Sequence, residues 1–132
     1  MEKEEAFVGI LACAVAADSF FADAELDLLE ILLKHHRFTK DMAENVHSEI
    51  VERVKKYVVK NGTMTAAVNY TNFIPTEWRG AAFLSALDLL FVDGNSNSEE
   101  SEFVRLLSAR FELPTETTDR FITIFKEKHG IF

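Results

Sequence analysis

The sequence predicts an all-α fold of about seven helices in which two helical hairpins recur, and three observations carry that prediction. Apolar residues return at helical rather than alternating spacing along most of the chain. The breaks between those stretches hold helix punctuation, namely Asn61-Gly62, Pro75, Asp93-Gly94 and Pro114. Two short acidic turns, Asp18-Ser19-Phe20-Phe21-Ala22-Asp23-Ala24-Glu25 and Asp93-Gly94-Asn95-Ser96-Asn97-Ser98-Glu99-Glu100, repeat Asp18 and Glu25 as Asp93 and Glu100, 75 positions on (93 − 18 and 100 − 25). Each turn follows an apolar run, Phe7 to Ala17 or Ala82 to Val92, and opens another, Leu26 to Leu33 or Phe103 to Leu107.

The first helix is expected from about Glu4 to Ser19, with Phe7, Ile10, Leu11 and Ala14 forming its apolar stripe. The second opens at Asp23, a favourable N-cap residue, with Glu25 in the first turn where the helix dipole favours negative charge. It closes near Arg37, where Lys34, His35, His36 and Arg37 complement the last carbonyls. Thr39 can cap the third and longest helix, which carries Val46, Ile50, Val54, Tyr57 and Val58 on one face and ends at Asn61-Gly62. Thr63 opens a short fourth helix through Asn72, and Pro75 suits the first turn of a fifth reaching Val92. Ser98 caps the sixth, Pro114 breaks the chain, and Thr115 or Thr117 starts a seventh that ends near Gly130. No linker or low-complexity tract divides the chain, so residues 1–132 read as one domain.

Composition narrows the function classes. A chain of 132 residues, 48% hydrophobic with twelve Phe, can bury a core without a staple. The formal net charge of −8 repels phosphate backbones and anionic lipid, so nucleic acid and membrane surfaces are poor partners, no nucleic acid and no membrane insertion are expected, and cations or basic protein surfaces suit the chain better. Cys13 has no partner for an internal disulfide and reads as a small core residue. The uncharged run Ala6 to Ala17 is too short for a bilayer, which takes about 20 residues, and the acidic Glu2, Glu4 and Glu5 have the wrong sign for a secretory signal. A cytoplasmic location is the expectation.

Two readings of the acidic turns follow from the residues. In one, Asp18 with Glu25 and Asp93 with Glu100 face each other across a bend, and their hard oxygens suit Ca²⁺, Mg²⁺ or Mn²⁺ better than Zn²⁺. Asn95 and Asn97 enrich the second turn in oxygens, although Ser98 and Val104 stand where a calcium loop of the EF-hand type needs Gly and Glu. In the other, Asp23 and Ser98 cap helices, Glu25 and Glu100 answer the dipole, and Asp18 and Asp93 accept bonds from turn N–H groups. The module is then a metal-independent protein-interaction domain.

Ala17-Asp18-Ser19 through Glu25 and Val92-Asp93-Gly94 through Glu100 give the chain a resemblance to the TerB-like domains, named for tellurite resistance. That family's all-helical fold repeats a small-Asp-Gly turn followed by an acidic helix start. The resemblance spans nearly the whole chain and implies a bacterial, non-enzymatic module of stress and metal-oxyanion resistance, with a protein partner and no organic cofactor. It also implies a divalent cation held by Asp18, Glu25, Asp93 and Glu100. Ser19 replaces the usual Gly of the first turn, and Ser96 stands where an apolar residue is common, so the two turns are not equivalent. The second is the better candidate.

The remaining motifs are weaker. Glu44-x-x-His47 has the spacing of a di-iron carboxylate ligand pair but lacks the second pair that such a helical oxidase needs, and His47 reads as a solvated histidine. His35 and His36 point about 100° apart on a helix and cannot share one ion, which leaves them a charge role at the helix end. Asp88 interrupts an apolar run and is expected at the polar edge of the fifth helix, or paired with Arg79 or Arg105 if buried. Phe20, Phe21, Phe73, Trp78, Ile131 and Phe132 are candidates for a docking patch, although aromatic residues at helical spacing mostly fill cores. No phosphate loop, zinc-protease helix or Ser/His/Asp arrangement is present.

Overall fold

One helix, α1 (Lys3–Ala16), forms the axis on which the others are laid. The structure is a computed structural model and describes residues 1–17, 23–91 and 98–131. From Ala6 onward α1 is buried on every side, so Val8, Ala12, Cys13 and Val15 are as enclosed as the expected stripe of Phe7, Ile10, Leu11 and Ala14. A helix enclosed all round has no polar face to present, which is the physical reason its sequence is uncharged over that stretch. Around it pack α2 (Asp23–His35), α3 (Glu44–Asn61), α4 (Thr63–Thr71) and α5 (Arg79–Leu90). α6 (Ser98–Arg110) lies on α4 and α5, and α7 (Thr115–Lys128) lies on α5. With these seven helices and no strand among the described residues, the all-α architecture is as predicted.

The duplication has a structural counterpart. α2 and α6 each contain 13 residues, and both their starts and their ends are 75 positions apart (98 − 23 and 110 − 35). Glu25 and Glu100 are therefore the third residues of matching helices. The capping roles expected of Asp23 and Ser98 rest on side chains outside the described set, as do all of Asp18, Phe20, Phe21, Asp93 and Phe132.

Helix ends explain most departures from the sequence reading. α2 stops at His35, and Thr39 spends its hydroxyl on that end, donating to the Leu33 carbonyl at 2.6 Å. It consequently does not cap α3, whose N-cap is Ala43 with no side-chain bond. Gly62, at φ 87, terminates α3 as the Asn61-Gly62 pair indicates, and its N–H bonds Val58 O at 2.8 Å. Pro75 precedes a single 3-10 turn, Thr76–Trp78, instead of lying in the first turn of α5. At the end of α7 the N–H of Ile131 reaches Lys126 O and that of Gly130 reaches Glu127 O, a Schellman closure with glycine at the left-handed position. α6 closes in the same way through Leu113 to Ser108 and Glu112 to Ala109, but the left-handed residue there is Glu112, at φ 56.

Candidate functional site

Both described turn acids are drawn inward. Glu100 is only 2% exposed, and Oε2 of Glu25 is shielded from solvent although its residue is half-buried. A carboxylate that merely answers a helix dipole can do so from water, whereas a buried one must be compensated by hydrogen bonds or a cation. Glu100 lines a groove of about 370 Å³ between α6 and α7, together with Phe91, Arg105, Thr118, Asp119 and Lys126. Glu25 does not line it. α2 packs on α1 and α3 while α6 packs on α4 and α5, so the two acids stand on helices with different neighbours. Carboxylate oxygens are the ligand type a hard divalent cation takes, but such an ion needs about six or more oxygens, so each Glu would have to be joined by further donors. Among the described residues no three His, Cys, Asp or Glu side chains gather as a metal cluster, and the two aspartates lie outside that set.

His47 is a correction. It is 4% exposed rather than solvated, and its Nε2 lies 2.7 Å from the Thr39 carbonyl, to which it donates. Nδ1 is buried with no hydrogen-bond partner. The signal was in the sequence, because His47 stands one turn before Ile50 and Val51 on the face continued by Val54 and Val58. Glu44 points the other way, 81% exposed and 3.3 Å from Lys34, so the Glu44-x-x-His47 pair does not converge on a ligand.

His36 also departs from its expected role. It sits just past the end of α2 in an aromatic cluster, 4.6 Å from the ring of Phe7 and 4.7 Å from that of Phe38. Burial pushes its pKa below the ordinary histidine value, which disfavours the charged form at the helix end. Its Nδ1 accepts the Phe38 N–H at 3.1 Å, placing the proton of the neutral ring on Nε2. Nε2 is 3.4 Å from Ser85 Oγ, and with its proton there it donates to the serine oxygen. A base for Ser85 would need the opposite tautomer, so this Ser/His pair is not a nucleophile of the acyl-transfer kind.

Asp88 lies at the edge of α5, as expected, but its partners come from α7. Lys128 Nζ is 2.7 Å away and His129 Nε2 2.9 Å, while Arg79 instead reaches the Phe111 carbonyl at 3.5 Å. Burial by itself pushes the Asp88 carboxyl up, yet the hydrogen bonds and charges of Lys128 and His129 outweigh it and hold the pKa below the usual carboxylate value. Trp78 is half-buried and stacks on Phe38 with ring centroids 3.7 Å apart and planes within 4°. Phe73, 45% exposed, and half-buried Ile131 are the other members of the expected patch among the described residues. Cys13 is a core residue, fully buried, and burial raises its thiol pKa far above the ordinary value.

Compared with protein-family models, curated proteins and solved structures, the chain matches none. No described helix is long and apolar enough to cross a membrane.

Proposed function

We propose that this chain is a non-enzymatic, TerB-like module that binds a divalent cation at one or both acidic turns and works through a protein partner in a bacterial stress or metal-oxyanion resistance assembly. The observation that supports this reading is the inward placement of Glu25 and Glu100 at the same position of two equal helices. Glu100 with Asp93, and Glu25 with Asp18, would hold the ion, and Ca²⁺, Mg²⁺ or Mn²⁺ suits their oxygens better than Zn²⁺. The bound ion supplies positive charge at the bend. Its neutralisation lets the carboxylates approach and sets the angle between the paired helices, and through them the surface offered to a partner. In a cytoplasmic setting such a module reports cation availability as shape.

Thermal unfolding of chelator-stripped protein against each of Ca²⁺, Mg²⁺, Mn²⁺ and Zn²⁺ tests the proposal. An ion held at about a hundred times its dissociation constant adds roughly 2.7 kcal/mol, a rise of several degrees in a domain of this length. The rise should saturate and should disappear in Asp93→Asn or Glu100→Gln for the second turn, or in Asp18→Asn for the first. If no ion shifts the midpoint, the turns are capped hinges and the metal-independent interaction reading takes their place.

A further inference from the structure

Away from the acidic turns, the start of α1 and the segment entering α3 enclose a groove of about 460 Å³ with a two-part chemistry. Its floor is apolar. Phe38, Met42, Val46 and Ile50 recur at every fourth residue from the turn after α2 into α3, and all four line the groove. Its rim is acidic, carrying Glu2, Glu4, Glu5, Asp41 and Glu49. Among the described residues Arg53 is the one cation lining it, and that guanidinium is already engaged by Glu5, with Nε 2.7 Å from Oε1. Lys3 lies over the Trp78 ring at 5.0 Å and Lys34 pairs with Glu44. Glu2, Glu4 and Asp41 have no ion-pair partner among the described residues.

The geometry points to this groove as a docking site for a basic amphipathic segment of a partner protein. Apolar side chains of that segment seat on half-buried Phe38, Met42 and Val46, with buried Ile50 beneath them, and the Lys or Arg residues beside them meet Glu2, Glu4, Asp41 and Glu49. Charge complementarity selects this occupant over the others. Carboxylates held around an apolar floor repel one another, and a cationic partner relieves that repulsion while covering the floor. A second copy of the chain, at net charge −8, would add to the repulsion, as would a phosphate backbone or an anionic membrane. Arg53 on Glu5 is the internal example of the contact, a guanidinium taken by a rim carboxylate. The apolar floor supplies the part of the affinity that salt does not screen, and the rim supplies orientation and a salt-dependent part.

The test is selection of random peptides displayed on phage against the full chain, followed by fluorescence anisotropy with the enriched peptides across a salt series. Enriched sequences should place Lys or Arg around apolar residues, and binding should weaken as salt rises. The paired change Glu2→Lys with Asp41→Lys alters two exposed side chains, neither within a helix, and should lower affinity about tenfold or more. Met42→Ser should lower affinity while leaving the salt dependence unchanged, and circular dichroism confirms that each variant is folded. Enrichment of acidic or uncharged sequences, absence of any enrichment, or binding indifferent to both variants would overturn the proposal. Each readout is made in chelator, so the outcome does not depend on whether the acidic turns bind metal.

Discussion

Replacing Gly9 with alanine probes the tightest contact at the centre of the molecule. A Cβ built on Gly9 meets three atoms of the Tyr70 ring at 2.6 Å. Carbon atoms in ordinary contact stand about 3.5 to 4.0 Å apart, so the ring or the helix must give by about 1 Å. Neither has room, because Tyr70 is 2% exposed, the Tyr57 ring lies 5.4 Å from it, and α1 is enclosed on every side. Two effects of opposite sign compete. Helix propensity favours alanine over glycine by about 1 kcal/mol, whereas overpacking a closed core costs about 1 to 3 kcal/mol. With three ring atoms inside the contact limit the steric cost belongs at the upper end, giving a net loss of about 1 to 2 kcal/mol and a melting point lower by roughly 5 °C. The assay is urea unfolding followed by circular dichroism, read as a change in midpoint at constant slope. Repeating Gly9→Ala in a Tyr70→Leu background isolates the contact. There the substitution should be neutral or stabilising, a reversal that only direct coupling produces. A gain in stability from Gly9→Ala in the native background would refute the packing described for α1 and α4.

Two further predictions concern the ends of the last helices. Glu112 occupies a left-handed conformation at φ 56, where glycine escapes a penalty of about 1 kcal/mol, so Glu112→Gly should stabilise the protein by roughly 0.5 to 1 kcal/mol in thermal unfolding. A lower melting point would show that the closure of α6 is wrongly described. Asp88 has a folded pKa below its unfolded value of about 3.9, so its ion pair stabilises fully above that pH and is lost as acid carries the folded carboxylate through its own pKa. Its side chain is 38% exposed, which limits the contribution to below about 1 kcal/mol. The difference in melting point between the native protein and Asp88→Asn should therefore hold near neutral pH and close below about pH 4. A gap independent of pH would remove Asp88 as the anchor of α7.

Legibility followed the range of the interactions. The end of α3 at Gly62 and the start of α7 after Pro114 were readable because glycine and proline act on their own backbone. Thr39 was misread as a cap of α3 because its hydroxyl has a choice between the helix behind and the one ahead, and the Leu33 carbonyl takes it. His47 was misread because a histidine on a helix was weighed by its polarity and not by its register with Ile50, Val54 and Val58. At the candidate site the recurrence of Glu25 and Glu100 was legible, but their inward orientation was not, since a carboxylate at a helix start looks the same in sequence whether it faces water or the core.

Sequence alone therefore determined the all-α class, the number of helices, the 75-residue offset between α2 and α6, and the core position of Cys13. These follow from helical periodicity, capping and chain-breaking residues, whose effects act within a few positions along the backbone. Tertiary structure alone decided that α1 is the central helix, that Gly9 admits the Tyr70 ring, that His36 is neutral among Phe7 and Phe38, and that Asp88 holds Lys128 from 40 residues away. It also assembled the acidic rim from α1, α3 and the turn between α2 and α3. Such pairings depend on which surfaces meet once all the helices compete for one core, and no local pattern encodes the outcome of that competition.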